Sequence, residues 1–211
     1  HHFAASTPVK TFKIAKKRQK KIIFDIHEYH PENFLANLTG PIKSLKEKTL
    51  WNIFKQQIIL SNKLVYVSEE MIKDVEEILN IRKDHLTVPN YAKSVFPQSE
   101  KENEIVLVGG VTRPFGKEKI LINELVNRGL NFKIVGMNPA PFKEVKHKYI
   151  EFLPYEEMIT EVSKSMFSLI SYETTGDQDY KNDNFALPHK FYDSIAAGTP
   201  PIINSRFISM K

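Results

Sequence analysis

The chain contains no cysteine. That excludes a disulfide framework, a thiolate metal site and a cysteine nucleophile. No apolar run approaches the roughly 18 residues that a membrane-crossing helix needs, and no secretory leader is visible. A cytoplasmic setting is therefore expected. The sequence has no low-complexity tract and no repeat at solenoid periods. It also has none of the usual nucleic-acid motifs, so no nucleic-acid partner is expected. What it does have is an ordinary globular mixture: 211 residues, 41% hydrophobic and 26% charged, enough for a sizeable core. Thirty Lys and Arg against 25 Asp and Glu give a net charge of +5. That permits an anionic partner without naming one.

The apolar patterning predicts alternating strands and helices. Thr7-Pro8 reads as the start of a helix running to about Lys21, with Lys10, Lys13, Lys16, Lys17, Arg18, Lys20 and Lys21 along it. Lys21–Ile26 fits a short buried strand, followed by the polar loop from His27 to Pro31. A long helix is expected over about 42–62, a strand over 64–67, a Ser68-capped helix from Glu69 to about Leu79, and a short strand at 86–88. Residues 91–103 lack periodicity and read as a linker. Beyond it, strands are expected at 104–108, 131–135, 149–152, 167–172 and 201–204. Helices are expected at 117–128, weakly near 141–147, at 155–164 and at 188–197. This alternation predicts βαβ units and parallel sheets. The strands are continuous apolar runs such as Ile105-Val106-Leu107-Val108, as expected where both faces are covered. Two α/β domains follow, residues 1–93 and 94–211. The first shows only about three strands. The chain opens at His1-His2 without Met and closes at Lys211 soon after an apolar run, so the expectation is an incomplete chain.

In open parallel sheets, ligands sit beyond the carboxyl ends of the strands. After Val108 comes Gly109-Gly110-Val111-Thr112-Arg113-Pro114-Phe115-Gly116. It reads either as a tight strand-to-helix turn or as an anion site, with close backbone approach and an Arg113 fork. It lacks the GxGxxG spacing of dinucleotide-binding turns. Gly136 follows Val135 in what reads as an ordinary loop, unless a nucleotide base packs against it. After Tyr172, the polar stretch from Glu173 to Leu187 is long for a connection, and it leads into Pro188-His189-Lys190-Phe191-Tyr192-Asp193. Pro188 suits the first helical position and Gly198 the position after the C-cap. The first-turn amides with Lys190 could hold a phosphate. Asp193, three residues on and read as on the same face, could accept hydrogen bonds from a ribose diol. The bland alternative is a Lys–Asp surface pair. His27, at the end of the first strand, is a candidate substrate contact or a structural loop histidine. The HxxH spacing of His27 and His30 lacks a third ligand, and no metal is expected. The basic helix over 8–21 is either a solvated face or a surface for anionic lipid headgroups.

These segments resemble those of retaining GT-B glycosyltransferases of family 4, the group 1 transferases. Phe24-Asp25-Ile26-His27-Glu28-Tyr29-His30-Pro31 is similar to the family's D-x-H-E-x-x-P loop. Val67–Met71 and Val88-Pro89-Asn90 resemble segments that end the N-terminal domain. Val108-Gly109-Gly110 with Arg113 and Gly116 resembles the opening of the C-terminal domain. Ala186–Asp193 with Ala196-Ala197-Gly198-Thr199-Pro200 resembles the signature helix. The resemblance implies an α/β, GT-B-like fold: two Rossmann-like parallel-sheet domains facing a cleft, the N-terminal one incomplete. It also implies transfer of a sugar from a nucleotide-diphosphate sugar to a glycan or lipid-linked acceptor in polysaccharide biosynthesis. No metal or other cofactor is implied, and the setting would be cytoplasmic or peripheral on the inner face of a membrane. By position, His27, Arg113 and Lys190 would serve catalysis. Gly109, Gly110, Arg113, Gly136, Pro188, His189, Lys190 and Asp193 would hold the donor.

Departures accompany the resemblance: Gly110 and Phe115 occupy the expected basic positions of the first C-domain loop, leaving Arg113, with Lys117 as a further candidate. Asp193 stands for the second Glu of the family's E-x7-E pattern, and Phe185 stands for the first. Alternatives of other kinds are a nucleotide-sugar 2-epimerase of the same fold and a degenerate, non-catalytic partner subunit that binds the sugar nucleotide.

Overall fold

The computed structural model describes residues 8–29, 31, 38–94, 96, 99–109, 115–171 and 181–211. Eight strands and seven α-helices appear among them, in two compact units. The first unit holds the described residues up to Pro89 together with those of Asp179–Leu187 and Arg206–Lys211. The second holds those of Asn90–Gln178 and Pro188–Ser205.

The first unit runs α1 (Val9–Lys17), β1 (Ile23–Ile26), α2 (Gly40–Leu60), β2 (Lys63–Tyr66), α3 (Glu69–Leu79) and β3 (His85–Thr87). Its three strands are parallel in the order β1-β2-β3, with Phe24 beside Leu64 and Ile26 beside Tyr66. Phe24, Ile26, Leu64 and Tyr66 point to one face. There they meet Phe12 of α1, Phe54 and Ile58 of α2, and Met71, Ile72 and Val75 of α3 in one buried cluster. Each such side chain contributes about 1.5–3 kcal/mol when fully buried. Phe24 meets Phe12 edge to face at 5.5 Å and Phe54 at 6.1 Å.

β1 departs from the sequence expectation of a strand buried on both sides. Ile23 is 68% exposed and Leu86 of β3 is 50% exposed. Successive right-handed crossovers between neighbouring strands place their helices on one face of the sheet, so the described residues cover that face alone. α3 follows its sequence signals: the Ser68 hydroxyl accepts the Met71 amide at 3.2 Å, Glu69 and Glu70 fill the first turn, and Asn80 ends it in the left-handed region. α1 ends earlier than expected, at Lys17.

The second unit runs β4 (Glu102–Val108), α4 (Gly116–Asn127), β5 (Asn131–Val135), β6 (Lys148–Ile150), α5 (Tyr155–Ser163) and β7 (Ser165–Leu169). After α6 (Lys181–Asn184), which lies in the first unit, it continues with α7 (His189–Ala196) and β8 (Pro201–Ile202). All five strands are parallel, in the order β6-β5-β4-β7-β8. Winding proceeds outward from β4 to β6, then returns across β4 to β7. Alternate residues of β4 serve opposite faces, as its unbroken apolar run predicts. Ile105 and Leu107 join Ile122, Phe132, Ile134 and Phe142, while Val106 joins Val135, Ile159, Val162 and Ala197. The weak helix expected near 141–147 is a single 3₁₀ turn, Ala140–Phe142.

The stretch expected as one polar loop before α7 instead contains α6. That turn is fixed by tertiary contacts: Lys181 Nζ bonds Asp74 at 2.6 Å, and Asn182 accepts the Tyr29 amide at 2.7 Å. Pro188 occupies the N-cap of α7 rather than its first helical position, and Gly198 follows the C-cap with φ of 63°.

Candidate functional site

Winding of the second sheet reverses between β4 and β7, and ligands of such sheets bind beyond the carboxyl ends at that reversal. Gly109 leaves β4 and donates its amide to Val135 at 3.2 Å. Gly110 and Arg113 lie outside the described residues. Ser171 leaves β7 and is buried. Its hydroxyl bonds Glu118 in the first turn of α4, and its carbonyl accepts Lys190 Nζ at 3.3 Å. Ser171, just past β7, is therefore held by the first turns of both α4 and α7. The N-cap of α7 is Pro188, whose side chain makes no capping hydrogen bond. The helix dipole and first-turn amides favour an anion at that end.

Helical geometry then sorts the side chains of α7. Lys190 and Ser194 face β7, where Ser194 bonds the Ser168 hydroxyl at 2.9 Å. His189 and Asp193, also four residues apart, line a cavity of about 440 Å³ with Tyr91, Lys93 and Tyr155. The single shared face read for Lys190 and Asp193 is thus divided between two sets of neighbours, because three residues along a helix fall about 60° short of a full turn.

Asp193 is 7% exposed and accepts the Tyr155 hydroxyl at 2.6 Å. Burial first, and then the bond to Asp193, push the Tyr155 phenol above its ordinary value. It therefore remains a neutral donor through the physiological range. The Lys93 amide donates to the same phenol at 3.3 Å, and the Lys93 ammonium pairs with Glu156. Tyr91 lies 6.4 Å from the Tyr192 ring. The cavity offers a carboxylate, a phenol, an imidazole and aromatic walls, a mixture that suits a small polar ligand with a flat portion.

Tyr91, Lys93 and Tyr155 were not singled out from the sequence. Tyr155 could have been found, since Phe152-Leu153-Pro154-Tyr155 leaves the end of β6 just as the other candidate loops leave their strands. Gly136, at the end of β5, donates its amide to Ile150 at 3.0 Å and has φ of 79°.

In the first unit, His27 stands one residue past β1, half-buried, with Nε2 3.0 Å from Asp25 Oδ2. Two residues on, Tyr29 is 1% exposed. Its hydroxyl bonds Asp74, and its ring is stacked on Phe185 at 5.6 Å and meets Trp51 edge-on at 5.8 Å. Phe185, which stands for the first Glu of the E-x7-E pattern, is therefore a core residue of the first unit. No group of three His, Cys, Asp or Glu placed to hold a metal occurs among the described residues. No helix among them is long and apolar enough to cross a membrane.

No family model matches the chain, and no curated protein matches it. Solved structures do. The GtfA/B complex aligns with a TM-score of 0.58 at 10% identity, over 90% of this chain and 38% of that one. An S. aureus TarM variant in complex with Fondaparinux, alpha-GlcNAc-glycerol and UDP aligns with a TM-score of 0.53 at 14% identity, over 86% of this chain and 36% of that one. The chain thus spans under two fifths of the length of either neighbour. The likeness defines the fold class: an α/β chain of GT-B-like architecture with parallel sheets.

Proposed function

We propose that the chain belongs to a retaining, metal-independent glycosyltransferase of the family 4 type. It would pass a hexosyl group from a nucleotide-diphosphate sugar to a glycan or lipid-linked acceptor, as in polysaccharide biosynthesis. The observation that carries this reading is α7. Its N-terminus, with Pro188 at the N-cap, and Lys190 stand at the winding reversal beside Ser171, and its Asp193 lines a cavity. In this reading Lys190 and Arg113, with the N–H groups of His189, Lys190 and Gly110 and the close approach that Gly109 allows, neutralise the diphosphate as it leaves. Asp193 accepts the ribose hydroxyls, with Tyr155 holding the carboxylate in place. Gly136 leaves room beside the nucleotide, and His27 acts near the donor sugar. The UDP in the TarM complex supports a nucleotide donor.

Calorimetry with UDP-, GDP- and ADP-sugars tests the reading. Lys190→Ala is expected to weaken donor binding about tenfold to a hundredfold, the usual worth of a hydrogen bond to a charged group. Unchanged affinity would remove the site.

A second reading, a non-catalytic subunit that binds sugar nucleotide, is favoured by the engagement of Phe185 with Tyr29, which leaves position 185 without a carboxylate. Donor binding with no turnover in the presence of acceptor or water would select it.

The setting proposed is the cytoplasmic face of a membrane. Lys10, Lys13, Lys16, Lys17, Arg18, Lys20 and Lys21 are all exposed on and just after α1. They are expected to bring the chain down with anionic vesicles at low salt and release it as salt rises. Absence of sedimentation at low salt would reject the attachment.

A further inference from the structure

We infer that Glu118 is a positioning residue for Lys190, acting through Ser171, an inference that rests on the nucleotide-sugar reading above. An acid in the first turn of a helix is ordinary, because the dipole favours it there. Glu118 does something else as well. It is half-buried, and its carboxylate accepts the Ser171 hydroxyl just past β7. A negative charge close to a diphosphate opposes its binding by repulsion. Its place one residue from Lys190's anchor therefore calls for a purpose other than holding the anion.

The hydrogen bonds supply one. Ser171 is 6% exposed and carries both halves of a relay. Its hydroxyl goes to Glu118, and its backbone carbonyl accepts Lys190 Nζ at 3.3 Å. A lysine ends in a point charge on a flexible four-carbon stem, so its ammonium needs an anchor to stand in one place. The backbone of Lys190 already has one: the Ser194 hydroxyl donates to its carbonyl at 2.7 Å and meets the Ser168 hydroxyl of β7 at 2.9 Å. The Ser171 carbonyl anchors the other end. The strand ladder holds β7 as far as Ile170, whose amide donates to Ile202 at 3.0 Å. The Glu118 bond extends that hold one residue further, to Ser171. Glu118 thus orders the lysine before an anion arrives, so that less side-chain freedom is lost on binding. An ammonium has three N–H donors, and a bond to one carbonyl is compatible with bonds to phosphate oxygens.

The test is calorimetry on the full chain with UDP and inorganic pyrophosphate as probes. Glu118→Ala is expected to weaken both about threefold to tenfold, the worth of ordering one long side chain in advance. Glu118→Gln, whose amide oxygen still accepts the Ser171 hydroxyl, is expected to restore most of the loss. Ser171→Ala keeps the carbonyl and removes the hydroxyl, so it should match Glu118→Ala, and it takes that variant's place if thermal unfolding shows that Glu118→Ala does not fold. In a Lys190→Ala background, either change should cost nothing further, because the side chain it orders is gone.

Three outcomes would overturn the inference. If the losses from Glu118→Ala and Lys190→Ala add, Glu118 acts independently of the lysine. If Glu118→Ala and Glu118→Gln both bind the probes as tightly as the parent or more tightly, the carboxylate is no more than a helix-end charge. In both cases a weakened Lys190→Ala leaves the donor site standing without Glu118. If the parent chain binds neither probe, the donor reading falls and this inference falls with it.

Discussion

Replacing Lys133 with alanine is expected to destabilise the second unit by about 3–5 kcal/mol, the usual cost of removing one partner from a buried ion pair. Lys133 is fully buried in the middle of β5. Its ammonium pairs with Glu104 of β4, lies 3.5 Å from the Glu161 carboxylate and donates to the Glu161 carbonyl at 2.8 Å. Glu104 also accepts the Ser165 hydroxyl of β7 at 2.9 Å. Removing the lysine would strand Glu104, 2% exposed, without its counter-charge. The network joins three adjacent strands to α5, so the loss should appear in urea unfolding as a lower midpoint for the whole second unit. A Lys133→Met variant that keeps the volume separates cavity from charge, and a parent-like midpoint for both would contradict the account.

The same network sets a pH dependence. Burial pushes the Glu161 carboxyl up, but the Lys164 hydrogen bond and the Lys133 and Lys164 charges outweigh it and hold the group below its ordinary value. A depressed carboxyl contributes stability that is complete above its unfolded pKa and is lost as pH falls through the folded one. Glu161→Gln is therefore expected to flatten the acid limb of stability below the ordinary carboxylate range and to leave the neutral plateau with the same slope.

Tyr29→Ala is the corresponding expectation for the first unit, at about 3–5 kcal/mol. It deletes a ring packed against Trp51 and Phe185 and a hydroxyl bonded to Asp74. Lys181, whose ammonium lies 5.6 Å from the Tyr29 ring centroid, would keep only its carboxylate partner. Tyr29→Phe keeps the ring and removes the hydroxyl. It should cost about 1.5–3 kcal/mol, the worth of a hydrogen bond to a charged group, while half-buried Asp74 keeps the Lys181 ammonium. Thermal unfolding ranks the two. Equal losses would mean that the hydroxyl, not the packing, dominates, and no loss in either would mean that the cluster does not hold the unit together.

The sequence was most legible where local signals sufficed. Ser68 with its acidic first turn placed α3 at its observed bounds, and Phe132, Ile134 and Val135 placed β5. It was least legible where distant residues decide. Tyr29 sits in a stretch that reads as polar loop, yet its burial depends on Asp74, 45 residues away, and on Asn182, 153 residues away. α6 has four residues, too few for a helical period to show, and it exists because Lys181 and Asn182 find those partners. Lys133 reads as a charge interrupting an apolar strand; only the pairing of β5 with β4 supplies Glu104 beside it. At the candidate site, residue types and their order on α7 were readable. The division of Lys190 and Asp193 between β7 and the Tyr155 cavity was not, since a helical repeat gives spacing and not neighbours.

The return of Lys181–Leu187 and Arg206–Lys211 to the first unit has a practical outcome for anyone dissecting the chain. One cut after Pro89 liberates neither half whole. The amino-terminal piece would lose the Phe185 ring that Tyr29 rests on and the Ser209 hydroxyl that meets Ser68 at 3.0 Å, while the carboxyl-terminal piece would carry the Phe185 ring into water. Two such fragments should be poorly soluble apart and recover only when expressed together.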